Sequence, residues 1–312
     1  MKLSIAGQQR ASTFIKSKAR PLEQARYSYH FENASRTGAI QALAACQNAD
    51  GGFGHGLEPD LPMNESSVIA TTRGLQVLTE VGAPADHPLV RGAIGYLLAT
   101  YDPQTGVWEI VPRAANNGPH APWWHYDDDG QTGKWGGYLV NPRAEVLGCL
   151  YDYSALVPAR LLQDVADSVI GHLDGVSDLR DMHDIGCYLT LAETRSLPAK
   201  LRSRLLDKLE PAVVSVVERD PARWEKYCLK PIGYMGVVRS PASPFARLFA
   251  TEVEAGLDYE IEHQHADGSW LPTWSWGASY PEAWERAKQD WQGILTVQTL
   301  KTLADFGRLE SA

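Results

Sequence analysis

Apolar residues recur every three to four positions along most of the chain, the spacing of helices with one buried face. No stretch alternates apolar and polar residues for long enough to read as a strand. The pattern begins with a helix from Leu3 to Ala19, stopped by Pro21, and continues with Leu22 to Phe31 and Ala34 to Gln47. Ser66 to Val81 follows, with Val68, Thr72, Leu75, Val77 and Leu78 on its apolar face and Gly82 closing it. Pro88 to Thr100 is its expected antiparallel partner. Pro142 to Leu156, Pro158 to Leu173, Asp178 to Leu191 and Pro198 to Val217 are four helices in succession. Several open on proline, whose missing N–H costs nothing in a first turn. Arg223 to Lys230 is no more than a helical turn, and Pro241 to Ala255, Leu257 to Gln264 and Ala283 to Phe306 complete the series. About twelve helices and no convincing strand predict an all-α fold.

One punctuation mark occurs twice. A helix ends on Gln47, and an Asp50-Gly51 turn follows, closed by Phe53; a second helix ends on Gln264, followed by Asp267-Gly268 and Trp270. Glycine after Asp permits the positive φ of a tight turn, and the aromatic is expected to cover the end of a neighbouring helix. Thr105-Gly106-Val107-Trp108 and Thr132-Gly133-Lys134-Trp135 repeat the second half of the motif. In these Gln, Asp-Gly and Trp motifs the chain resembles the terpenoid cyclase and protein prenyltransferase superfamily, as a divergent member. The resemblance implies a single-domain (α/α)6-type toroid of antiparallel helix hairpins over residues 1–312, with a central cavity.

Three connections are longer than compact domains usually allow, and such loops tend to be working parts. They start near Asp50, Asp102 and Ala266, and on a count of twelve helices they follow the third, fifth and eleventh. Helices connected in series place alternate connections on alternate rims, so all three loops are expected to meet at one mouth.

Composition narrows the chemistry. Hydrophobic residues at 44% and charged residues at 21% describe a globular protein with a large core. A net charge of -9 without a basic run argues against a nucleic-acid partner. Cys46, Cys149, Cys187 and Cys228 are scattered and read as reduced core thiols of a cytoplasmic protein. The start MKLSIAGQQR lacks a signal-peptide core, and no apolar run is long enough for a membrane span. Ten Trp and 13 Tyr against 6 Phe favour rings with a polar edge, which suit a partly wet cavity.

Four constellations could carry chemistry. In GHGLEPDL, His55, Glu58 and Asp60 could serve as general acid and base or hold a polar substrate, or one carboxylate could cap the helix starting near Ser66 or pair with an arginine such as Arg73 or Arg91. In HAPWWHYDDD, His120 and His125 flank Trp123 and Trp124, a stacking surface beside proton-transfer groups. Tyr126-Asp127-Asp128-Asp129 matches neither the DxDD nor the DDxxD motif of the cyclases, and reads as a solvated acidic turn. On the third, His183, Asp184 and Cys187, a buried Cys beside a satisfied His outweighs a zinc pair. No metal or cofactor is expected, while His183 and Asp184 remain candidates for contact with substrate. The fourth, Trp274-Ser-Trp276-Gly-Ala-Ser-Tyr280, reads as cavity wall through Trp274, Trp276 and Tyr280. Signatures of nucleotide, dinucleotide, zinc-protease and serine-hydrolase chemistry are missing. The expected function is acid–base chemistry on a small or medium organic substrate, isoprenoid in character by resemblance. A glycosidase or lyase on a six-hairpin barrel and a non-catalytic ligand-binding scaffold are the alternatives; the oligomeric state stays open.

Overall fold

A computed structural model describes residues 1–127 and 140–311. Among these the fold is all-α: eleven α-helices and one two-residue β-hairpin, Tyr101–Asp102 against Val107–Trp108. The Asp128, Asp129 and Thr132 to Trp135 motifs lie outside the described residues. No helix among the described residues is long and apolar enough to cross a membrane.

The chain forms two compact units. One comprises 1–39, 213–277 and 284–312, and the other 40–212 with 278–283. In the first, Ile5–Lys18 is capped by Ser4, whose Oγ accepts from Gly7 N at 3.1 Å, and packs on Pro21–Phe31. Ahead of that cap, Leu3 bridges Leu309 in parallel, with Leu3 N bound to Arg308 O and Glu310 N to Leu3 O.

In the second unit Val68–Glu80 and Val140–Asp152 are each buried at nine of their thirteen positions. Ser67 caps Val68–Glu80, which packs against Pro88–Thr100 and Val140–Asp152; the latter also carries Ala159–Gly175 and Met182–Glu193.

The duplicated motif is one joint built twice. Gln47 Nε2 donates to Gly51 O and to Leu89 O, both at 2.9 Å. Gln264 Nε2 donates to Gly268 O at 3.0 Å and to Gly7 O at 2.9 Å. Each amide thus ties its own turn to the first helical turn of another helix. In both copies the Asp Oδ1 closes the turn, accepting from Gly52 N and Ser66 Oγ in one and from Ser269 N and Oγ in the other. Gly51 (φ 87°) and Gly268 (φ 95°) are in the left-handed region, and a Cβ there would collide with Gly92 or Arg10 backbone. The aromatic N–H then binds a threonine hydroxyl inside the next helix, Phe53 to Thr71 and Trp270 to Thr296.

The aromatics themselves differ. Trp108 Nε1 bonds Leu97 O and Trp270 Nε1 bonds Glu260 O, so both cover helix C-termini as expected. Phe53 instead lies against Gly74 in the middle of Val68–Glu80.

Pro88–Thr100 matches the expected bounds, and most others agree within a few residues. The expected break at Gly256 is absent: Ala250–Glu262 is one helix, preceded by turns over 241–249. Gly256 serves packing, because a Cβ there would stand 2.5 Å from Ile232 Cγ2. Arg223 to Lys230 holds only the end of a 3-10 turn, Pro221–Arg223. Merging two helices changes the count, so helix parity no longer supports the meeting of the three loops.

Gln47→Ala and Gln264→Ala, each stranding two carbonyls, are expected to lower stability by about 2–3 kcal/mol apiece in urea unfolding. A loss under about 0.5 kcal/mol for either would show that its amide bridge does not hold that turn in place.

Candidate functional site

The second unit brings the three long connections together. Ala121 N donates to Asp60 O at 2.8 Å, joining the second loop to the first, and the Tyr280 ring sits 5.5 Å from that of His120, joining the third to the second. His120 is buried at 3% exposure; His125 is exposed and stacks on it at 5.2 Å.

The loop is ordered by local pairing. Asn116 takes both backbone groups of Tyr126, donating from Nδ2 to Tyr126 O at 2.8 Å and accepting from Tyr126 N at 2.9 Å, while Arg113 covers the Tyr126 ring. Pro122–Trp124 forms a single 3-10 turn between His120 and His125. Trp123 and Trp124 are half-buried, and Trp124 Nε1 is buried without a partner among the described residues. An indole N–H so placed costs about 1–3 kcal/mol unless an acceptor arrives.

The histidine geometry fixes proton positions. His120 Nδ1 lies 2.7 Å from Gly118 O, a carbonyl that can only accept, so Nδ1 carries hydrogen. In neutral His120, Nε2 is then a bare acceptor, and His125 Nδ1 at 3.0 Å is its donor. That leaves Nε2 of exposed His125 with its lone pair free to take a proton, a relay ending in a base at the surface.

Both carboxyl residues of the first loop are buried, at 4% exposure each. Glu58 Oε2 pairs with Arg73 Nη2 at 3.2 Å, so of its two sequence readings the arginine partner is realised. Its second oxygen is not committed to that contact. His55 is exposed at φ 53°, and its Nε2 donates to Asn48 Oδ1 at 2.9 Å, because the Asn48 amide nitrogen is committed to Asn64 O and Ser66 Oγ. Tyr280 also has positive φ, 47°; among the described residues only Asn33, His55 and Tyr280 do so without being glycine. Such backbone costs about 1–3 kcal/mol and concentrates at working sites.

The other candidates stand elsewhere. Asp181 caps Met182–Glu193, accepting from His183 N and Asp184 N, with the His183 ring beside it at 3.3 Å. Hydrogen bonding from His183 draws the Asp181 carboxyl down to about 2, while burial, reinforced by Asp181, raises Asp184 to about 6. His183 and Asp184 therefore have a structural account at a helix N-terminus. Cys187 is buried one turn on, and no group of three His, Cys, Asp or Glu side chains among the described residues has metal-holding geometry. Cys46 and Cys228 are only half-buried, not the core thiols expected. Asp127, read as a solvated turn, is half-buried.

Trp274 and Trp276 belong to the first unit. Trp274 stacks on Tyr234 at 5.3 Å and meets Trp291 edge-on at 5.0 Å; Trp276 is fully buried against Trp284, a packing position. Sequence reasoning missed Tyr234, Trp291 and Asn116, which only tertiary contacts reveal. It also missed Glu260, for which a signal existed: it continues the buried stripe Val253, Gly256, Leu257.

No protein-family model matches the sequence, and no curated protein matches it.

Two predictions follow from this chemistry. Proton-detected ¹⁵N imidazole spectra at neutral pH should show His120 protonated at Nδ1; an Nε2–H tautomer would break the relay. Asp184 has a folded pKa above its unfolded value of about 3.9, so as pH rises from about 4 to 6 the unfolded form loses its proton first and stability falls. Asp184→Asn should therefore stabilise the fold by about 1–2 kcal/mol at pH 8 and by nothing at pH 4, net of a lost charge at the helix N-terminus. Equal effects at both pH values would refute the burial account.

Proposed function

We propose that the protein is an enzyme performing acid–base chemistry on a small or medium organic substrate, at the meeting point of Asp60, His120, His125 and Tyr280. The observation that carries this reading is the buried His120 held between Gly118 O and His125, which leaves His125 Nε2 as an accessible base. Two supports are independent of it: Trp124 Nε1, buried without a partner among the described residues, and the positive φ of Tyr280, whose ring packs on His120. In this reading His125 takes a proton from substrate, and His120 stabilises the resulting imidazolium by accepting its Nδ1–H hydrogen bond. The Asp60 carbonyl holds this turn through Ala121 N, and Trp123 and Trp124 provide the apolar wall.

The architecture behind it is read as an α/α toroid of the terpenoid cyclase and prenyltransferase kind. The duplicated Gln and Asp-Gly joint supports this, as does the pairing of Leu3 with Leu309, which draws the first and last described segments together. Aromatic rings that stabilise developing positive charge make an isoprenoid the leading substrate class. The carbohydrate reading rests on a specific observation of its own, two buried carboxyl residues in one loop beside a pair of Trp.

Thermal-shift screening against prenyl diphosphates and oligosaccharides separates the two, with a rise of a few degrees at saturation in one class only. Once a substrate is found, His125→Ala, an exposed change, should lower turnover on the order of 10²–10⁴-fold while leaving the melting temperature nearly unchanged. Full activity in that variant would sink the relay. Null responses to both classes would favour a scaffold.

A further inference from the structure

The first unit contains a cavity of about 50 Å³, bounded by Lys230, Tyr234, Glu260, Trp270, Trp274 and Thr299 among others. The cyclase reading makes no use of it, and its construction is unusual. Glu260 occupies the core-facing stripe of Ala250–Glu262, in register with Val253, Gly256 and Leu257, where an aliphatic residue would ordinarily sit. It is 9% exposed, and among the described residues no hydrogen bond or ion pair engages its carboxyl group. A lone buried carboxylate is expensive, and proteins retain one only where something offsets the cost.

The backbone makes room for this group. Gly233 stands at φ 101°, and a Cβ there would lie 2.5 Å from Glu260 Oε1. On the opposite side of the residue, Trp270 Nε1 donates to Glu260 O at 2.8 Å and fixes the end of the helix. Trp274 stacks on Tyr234 and abuts Trp291, so the aromatic wall is held by its own contacts. Lys230 lines the same cavity, but its Nζ lies over the Tyr259 ring at 5.3 Å, and among the described residues it forms no ion pair with Glu260. Burial pushes the Glu260 carboxyl up, against the smaller opposing influences of Lys230 and His263.

A buried carboxyl facing a small space walled by Trp and Tyr rings offers, once an incoming cation draws off its proton, a negative charge beside the negative faces of π systems. That combination recognises a compact organic cation. A primary ammonium head, unlike a quaternary one, can also donate N–H hydrogen bonds to the carboxylate, with the rest of the ligand extending outward.

We propose that this cavity is a binding site for the head group of a primary alkylammonium ligand, with Glu260 as its counter-ion and Trp270, Trp274 and Tyr234 as its walls. The ligand cation supplies the partner that Glu260 lacks among the described residues, and Gly233, having no side chain, leaves the carboxyl uncovered.

The test is calorimetric titration of the full chain with n-butylammonium, tetramethylammonium, 1-butanol and butyrate. Butylammonium is expected to bind with Kd on the order of 0.1–1 mM, an ordinary efficiency for five heavy atoms, and the other three at least tenfold more weakly. Glu260→Gln should abolish the preference for butylammonium over butanol; because it removes a buried charge, it should fold at least as stably as the parent, checked by its melting temperature. Lys230→Met, removing a competing positive charge, should tighten butylammonium binding by roughly two- to tenfold. Butanol binding as well as the amine, unchanged amine affinity in Glu260→Gln, or loss of affinity in folded Lys230→Met would each overturn the proposal. So would no binding of butylammonium at about 50 mM.

Discussion

A glutamine side chain holding two carbonyls at once is the constraint on which both units rest. A helix end leaves carbonyls without donors, and a tight turn brings more of them into the same place. The Gln47 and Gln264 amides resolve this by donating once to their own turn and once to the start of another helix, at Leu89 and Gly7. The glycine of each turn then touches the backbone three residues further along that helix, at Gly92 and Arg10. No other side chain in the joint spans both partners, and only glycine survives the approach, so the Gln and Gly positions are bound to one another.

Fixing the helix ends in this way frees the residues beyond Phe53 to depart from regular structure. Glu58 and Asp60 can be buried in a loop because Arg73 comes from the adjoining Val68–Glu80 helix, whose entry Ser67 and Phe53 have already set. The second loop is then positioned against the first through Asp60 O, and the His120–His125 pair is carried on a turn that Asn116 closes. Order thus passes from a joint to a loop to a pair of imidazoles, and the strain at Tyr280 is tolerated at the end of that series.

The helices and the duplicated joint were legible because both depend on local chemistry: apolar spacing, proline at first turns, Asp-Gly after Gln. The site was legible only as residue types. His120 and His125 stood out for flanking two tryptophans, but which nitrogen carries hydrogen depends on Gly118 O, a backbone atom that sequence does not place. Gly256 was misread because sequence cannot distinguish a glycine that ends a helix from one that lets Ile232 approach it. Trp276 was read as cavity wall by its glycine and serine neighbours, whereas its burial follows from Trp284 in the next helix. Helix counting failed for the same reason as Gly256, and direct contacts between loops replaced it.

The two joints differ in one residue that matters. Phe53 can only pack, and it fills the groove that Gly74 leaves in the next helix. Trp270 has an N–H as well, and spends it on Glu260 O, pinning the last turn of the helix that carries Glu260. A phenylalanine at 270 would leave that carbonyl at a frayed helix end, where the Glu260 side chain could turn outward and escape its desolvation cost. The indole bond holds the backbone so that the carboxyl stays inside beside Gly233. The same scaffold turn has therefore taken two directions in one chain: in one copy it anchors a packed core, and in the other it keeps an ionisable group where water cannot easily reach it.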